Sequence, residues 1–322
     1  MSAPTAAYAA YNQVGIREDL ADIIYNIAPM DTYFFSKCGR NKATNVLHEW
    51  QTDTLDTASS TNKYIEGDDF SAQTVNPTTR LKNYCQIARK DYVITRTASQ
   101  QKAAGRTEEI AYQTMLKGKA LKRDIEKHLL SKENSSAGTS ASPRSAGAVE
   151  TWIYTVNDVS ATNVTTNTTP APVSGLPATA GTDGTATAFA EADMKTALLQ
   201  AWSQGGETDI ILLPPNLKNK LDSFTGQATR FRNVAAGEQA EIIGSADVYV
   251  STYGSHKVIT SRWCRASVVL FLDMSTWAIA WLDPIQMVEI AKSGDSEKRM
   301  IVGEYTLEAR APTANTKMTN IT

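Results

Sequence analysis

The chain has 322 residues, enough for one large domain or two ordinary ones around a sizeable core. Lys and Arg number 32 against 34 Asp and Glu, a net charge of -2, which excludes the overall basic field of a nucleic-acid reader. Charged residues make up 20%, below the roughly 25% typical of soluble domains, so the surface is polar but under-charged.

Met1 to Ala10 shows neither a basic n-region nor an apolar h-region, so no signal peptide is expected there. Over residues 11–40, Leu20, Ile23, Ile24 and Ile27 form an apolar stripe at helical spacing, led by Arg17, Glu18 and Asp19 and stopped by Pro29. The aromatic patch Tyr33-Phe34-Phe35 follows on an arm, to pack on its own domain or dock on another subunit. Residues 46–52 and 84–95 are rich in aromatic and β-branched residues and read as strands. The roughly 30 residues between them carry little apolar content, and loops of that size are functional or disordered. Two strands flanking such a loop predict a long projecting hairpin.

The strongest local signal is a helix over residues 107–132. Thr107 can cap it, Glu108 and Glu109 suit its positive end, and Ile110, Thr114, Gly118, Leu121, Ile125 and Leu129 share one face. At 1.5 Å per residue this spine is on the order of 40 Å long. Gly118 costs up to ~1 kcal/mol of helix propensity, which implies close approach of another backbone there.

Residues 133–187 turn to Ser, Thr, Ala, Gly, Asn and Pro, a polar insertion in which residues 149–156 read as a strand. From residue 188 the pattern is regular. A helix around Met194, Leu198 and Trp202 ends at Gly205-Gly206, residues 209–213 form a buried strand, and Pro214-Pro215 opens a short helix. Strands follow at 247–251, 257–261, 267–272, 277–282, 285–291 and 299–309, the last two joined as a hairpin at Ser293-Gly294-Asp295-Ser296. The longest apolar runs, 268–272 and 277–282, fall far short of the roughly 20 residues that span a bilayer.

Chemistry-bearing constellations are sparse. Cys38, Cys85 and Cys264 are far apart and fit reduced thiols of a cytosolic protein, not a disulfide framework or a Cys-rich zinc site. Asp124 and His128 share a helix face and could offer two metal ligands, but an i,i+4 charge pair is the simpler account. Glu66, Asp68 and Asp69 could hold a divalent cation, but a solvated loop explains them as well. No nucleophile elbow, Walker loop or dinucleotide fingerprint occurs, so no enzyme, cofactor or metal is expected. Lys117, Lys119, Lys122, Arg123, Lys127 and Lys132 give the long helix a basic excess interrupted by Asp124 and Glu126. That pattern fits a solvated face or subunit salt bridges, with weak contact to DNA backbone as the alternative.

The order of arm, long two-stranded loop, single long helix, α/β region and closing hairpin resembles the major capsid proteins of tailed bacteriophages, with the Hong Kong 97 fold. The resemblance is carried by Arg17-Glu18-Asp19-Leu20, Asp31-Thr32 before Phe34-Phe35-Ser36, His48-Glu49-Trp50-Gln51-Thr52-Asp53 and Glu66-Gly67-Asp68-Asp69. Asn83-Tyr84-Cys85-Gln86-Ile87, Ala104-Gly105-Arg106 and Leu121-Lys122-Arg123-Asp124-Ile125-Glu126 continue it. Phe224-Thr225-Gly226 before Ala228-Thr229-Arg230 and the turn Lys292-Ser293-Gly294-Asp295-Ser296-Glu297-Lys298-Arg299 complete it.

The resemblance implies an α+β capsid fold divided into an N-terminal arm (1–45), an extended loop hairpin (46–95), and a peripheral domain (96–187) with spine helix 107–132 and insertion 133–187. An axial domain (188–272) and a return to the peripheral domain with the final hairpin (273–322) follow. It implies self-assembly into pentamers and hexamers of an icosahedral phage head, made in the host bacterial cytoplasm. That head would enclose double-stranded DNA without sequence-specific binding, alongside portal and scaffolding or decoration proteins and no membrane. Assembly contacts are expected at Phe34, Phe35 and Trp50, at Glu66, Asp68 and Asp69, at Gly118, at Phe224 and Arg230, and at Gly294 and Asp295. The alternatives are a cellular nanocompartment shell, another virion structural protein, and an α/β hydrolase.

Overall fold

The computed structural model describes residues 32–56, 58–69, 75–101, 108–154, 169–224, 248–292 and 294–322. The expected helix around Leu20 to Ile27, the Thr107 cap and Arg230 lie outside the described residues. The first element is the short helix α1 (Tyr33–Lys37), followed by β1 (Gly39–Lys42). β1 lies parallel to the start of β9 (Trp277–Ile290), with Gly39 opposite Ala278.

β2 (Leu47–Thr52) pairs antiparallel with β3 (Thr79–Tyr84), which puts Trp50 opposite Leu81. This corrects the expectation that residues 84–95 return as its partner. The chain changes sheets at Cys85, which is fully buried and donates its N–H to the Val46 carbonyl at 2.8 Å. Asn83 is buried beside it, with Nδ2 donating to the carbonyls of Leu307 (2.8 Å) and Gly147 (3.2 Å). β4 (Gln86–Thr95) then joins another sheet, antiparallel to β10 (Ser296–Ala309). That sheet has the order β1-β9-β10-β4.

α2 (Arg96–Gln100) is a single capped turn that the sequence reading lacked, with Thr95 Oγ1 accepting from the Ala98 N–H. α3 (Glu109–Leu129) is the 21-residue spine and buries Leu121, Ile125 and Leu129. Residues 149–152 are helical, not extended as expected. Every side chain of α4 (Val149–Trp152) is buried, and Thr151 Oγ1 donates to the Ala148 carbonyl at 2.7 Å, closing the turn locally. β-branched and aromatic residues serve a wholly buried helical turn as well as a strand.

α5 (Glu191–Ser203), β5 (Ile210–Leu213), α6 (Pro215–Asp222), β6 (Val248–Ser251), β7 (Gly254–Thr260) and β8 (Val269–Leu272) follow the expected order. With β11 (Thr316–Met318) they build a five-stranded sheet of order β11-β8-β5-β7-β6. This sheet is a wall between two cores. Ile210, Leu212, Leu270 and Leu272 face the core shared with α3, α4 and Trp277. Ile211, Leu213, Val269 and Phe271 face Met194, Leu198, Leu217 and Leu221 of α5 and α6. A strand buried on both faces needs an unbroken apolar run, which is why DIILL and VVLFL read so clearly.

The expected strands 277–282 and 285–291 are one strand of 14 residues. Its pairing with β10 shifts register between Val302 and Tyr305, opposite the stretch that contains Pro284. The β9–β10 hairpin turns at Gly294, whose φ of +83° suits glycine.

Candidate assembly surfaces

The extended loop is fixed at its base and bare at its tip. At the base, Trp50 Nε1 donates to the Ala309 carbonyl at 2.9 Å, and its ring lies 5.4 Å from Trp152 and 5.6 Å from His48. His48 Nε2 sits 3.2 Å from Glu308 Oε2, which Asn41 Nδ2 also reaches at 2.8 Å, while Arg310 holds Oε1. Burial pushes the Glu308 carboxyl up, but hydrogen bonds from His48, Arg310 and Asn41 outweigh it and hold its pKa at about 2. Beyond the β2–β3 pairing, Leu55 is 99%, Ile65 81% and Val75 90% exposed. Glu66, Asp68 and Asp69 sit in an exposed turn with Gly67 at φ +83°, closed by the Asp68 N–H on the Ile65 carbonyl at 3.1 Å.

Phe34 and Phe35 are buried in their own chain, edge-on to Trp277 and Trp281 at 6.1 and 6.2 Å. Their amides donate to the two carboxylate oxygens of Glu126 on α3, at 3.0 and 2.7 Å. Gly118 meets nothing within 4 Å of a Cβ, so the close approach expected there is not made within the described residues. Phe224, the last described residue of its segment, lies 5.1 Å from the Phe189 ring. At the final hairpin, Asp295 pairs with Arg96 at 2.9 Å, so the tip is tied to α2 and not free.

The i,i+4 pairing expected of Asp124 and His128 is replaced by two tertiary contacts. Asp124 pairs with Lys90 of β4, and His128 Nδ1 shares a 3.0 Å hydrogen bond with the Tyr305 hydroxyl. Burial lowers the His128 pKa to about 4, so it is a neutral core residue. His256 is equally internal, with Nδ1–H donating to the Thr208 carbonyl at 2.6 Å and Nε2 accepting from Ser251 Oγ at 2.7 Å. All three thiols are buried, and burial pushes Cys85 up to about 11, far from a reactive thiolate. Among the described residues no three His, Cys, Asp or Glu side chains are grouped to hold a metal ion.

One surface escaped sequence reading. Tyr92 and Lys90 of β4 reach Thr114 and Asp124, so α3 covers that face of the four-stranded sheet. On the opposite face, register aligns Val93 with Lys298 and Ile290, Asp91 with Met300 and Val288, and Arg89 with Val302 and Gln286. Val93 is 58% and Ile290 41% exposed, and no described element covers them. Alternation along each strand held the signal, but nothing local says which face lacks a partner layer.

A family model described as SU10 major capsid protein matches residues 4–322. The chain belongs to this family. Its similarity to the major capsid protein of Escherichia phage Phieco32 is 28% identity over 341 residues, covering 98% of this chain and 97% of the relative. Among solved structures, the Cyanophage A-1(L) capsid asymmetric unit has a TM-score of 0.62 at 12% identity, covering 95% of this chain and 97% of that one. The capsid of a native GTA particle has a TM-score of 0.61 at 11% identity, covering 99% and 100%. The fold is therefore the α+β Hong Kong 97-type capsid fold, and the chain is a structural component of a phage virion.

Proposed function

We propose that copies of this capsid protein join through the extended loop into pentamers and hexamers that close an icosahedral head around double-stranded DNA. The observation that carries this reading is the bare apolar set Leu55, Tyr64, Ile65 and Val75 on a loop whose base is rigidly held. Exposed apolar groups on one projecting element mark an interaction site. Each side chain buried on docking contributes roughly 1.5–3 kcal/mol. The uncovered sheet face around Val93, Ile290 and Met300 of a neighbouring copy is the docking ground this chain offers. Many such contacts add through multivalency, so each can be weak.

In this reading the four-stranded sheet with α3 forms the peripheral domain and the five-stranded sheet the axial one. In the same reading the last residues, whose β11 pairs with β8, go with the axial side. Assembly takes place in the host cytoplasm with portal and scaffolding or decoration proteins, and the subunit performs no catalysis.

Deleting residues 59–71, beyond the β2–β3 pairing, should leave a folded subunit that makes no shells. Negative-stain electron microscopy of the expressed chain reads the outcome. Normal shells from the deletion would remove the loop from the assembly mechanism.

A further inference from the structure

In sequence, the basic run along the spine helix is interrupted by Asp124 and Glu126 and reads as mixed charge. The fold takes both acids out of the basic stripe, Glu126 by burial and the exposed Asp124 by an ion pair. Asp124 is turned to Lys90 on the sheet side, and Glu126 is fully buried under the first turn of α1. The stripe of α3 that holds neither acid is cationic. Lys119, Arg123 and Lys127 follow each other at four-residue steps, with Lys122 beside them. None of the four is ion-paired among the described residues, and the Arg123 guanidinium rests on the Trp263 ring at 5.6 Å from its centroid. α1, packed on α3 through Glu126, adds Lys37 in its last turn.

We propose that this outward face of α3 binds the phosphate backbone of double-stranded DNA without reading bases. Four-residue steps advance about 6 Å, so Lys119 to Lys127 spans about 12 Å of helix. A duplex carries one charge per about 1.7 Å of axis, so every cation on such a stripe has a phosphate to meet. Lysines on long stems suit a contact that must tolerate many backbone positions. The net charge of -2 hides this face, because the compensating acids lie elsewhere. The DNA would be the packaged genome, and to that extent the inference rests on the shell reading.

The test uses unassembled full-length chain and a fluorescent 30-base-pair duplex of random sequence, followed by anisotropy across a KCl series. Replacing Lys119, Lys122 and Lys127 together with Gln should weaken binding at least tenfold at low salt. The slope of log affinity on log salt should fall by about 2.7, or 0.9 per lost phosphate contact. The same three changes at Lys220, Lys257 and Lys292 should leave both nearly unchanged. Should the triple variant fail to fold, Lys122→Gln alone should lower the slope by about one. Unchanged binding by the variant overturns the proposal. So does tighter binding of a polyglutamate peptide than of the duplex, which would assign the face to an acidic protein partner. Microscopy of wild-type chain expressed without separating assembled material judges the shell reading separately: absent shells there sink that reading and leave the duplex measurement standing.

Discussion

Glu126 shows how much a single residue's role depends on contacts that sequence spacing does not reveal. It sits in a run of charges that reads as solvated, yet its carboxylate is fully buried and receives the amides of Phe34 and Phe35 from about 90 residues earlier. Burial raises its pKa to about 7, against the lowering effect of those two amides. The thiols of Cys38 and Cys264 also face it, with Arg40 near Cys38. Because the folded pKa exceeds the unfolded one, the native state binds the extra proton. Stability from this group is therefore full below the usual carboxylate range and is lost as pH rises through about 7. Glu126→Gln keeps the shape and removes the titration. Urea unfolding at pH 5 and pH 8 should show wild type losing roughly 2–4 kcal/mol more than the variant over that interval. Equal pH dependence in the two proteins would count against a buried, titrating Glu126.

Elements were legible where one stretch of chain decides its own structure. α3 announces itself by periodicity, and β5 and β8 by unbroken apolar runs, because each carries its signal within one window. The failures lie where tertiary partners decide. β3 is polar enough, with Arg80 and Lys82, to read as loop, and only pairing with β2 makes it a strand. α4 is a helix because the interior closes around it. Gly118 lies between these cases. Its helix is clear, but no described residue needs the space it leaves. In the isolated subunit, Gly118→Ala should therefore stabilise by roughly 0.5–1 kcal/mol, as helix propensity dictates. A urea midpoint checks that. If the variant is more stable yet forms fewer shells by microscopy, the close approach comes from a neighbouring copy. A destabilised variant would mean that the space is needed inside the subunit.

At the scale of the whole molecule, the low charge fraction is explained by where surface is left open. The loop and the outer sheet face present Leu55, Ile65, Val75, Val93 and Ile290 where a monomer would place charge, and interface cores are depleted in charge. The loop could be read from composition, but the sheet face could not, because it takes shape only when β4, β9 and β10 come together in register. Charge is instead spent internally, where the segments of the two sheets meet. Arg265, in the connection between β7 and β8, holds Glu150 of α4 at 3.1 Å and both oxygens of Asp183 at 2.9 and 3.1 Å. Lys132, just past α3, also reaches Asp183 at 2.5 Å. Lys317 of β11 donates to the Glu150 carbonyl and to Thr169 Oγ1 at 2.7 and 2.6 Å. Five chain segments thus share one ionic group. Burial raises the Glu150 pKa, and Arg265 is the first of the charges that lower it again. Removing one partner of a buried pair costs about 3–5 kcal/mol where the other charge is left wholly uncompensated. Lys317 and Lys132 still offset Glu150 here, so the loss falls below that range. Arg265→Met should lower the unfolding midpoint accordingly, and adding Glu150→Met should restore much of the loss, because the stranded carboxylate goes with it. Calorimetric midpoints of the wild type and both variants decide the matter. If the double variant is no more stable than Arg265→Met alone, the two residues are not energetically coupled and the group is not what ties the two sheets together.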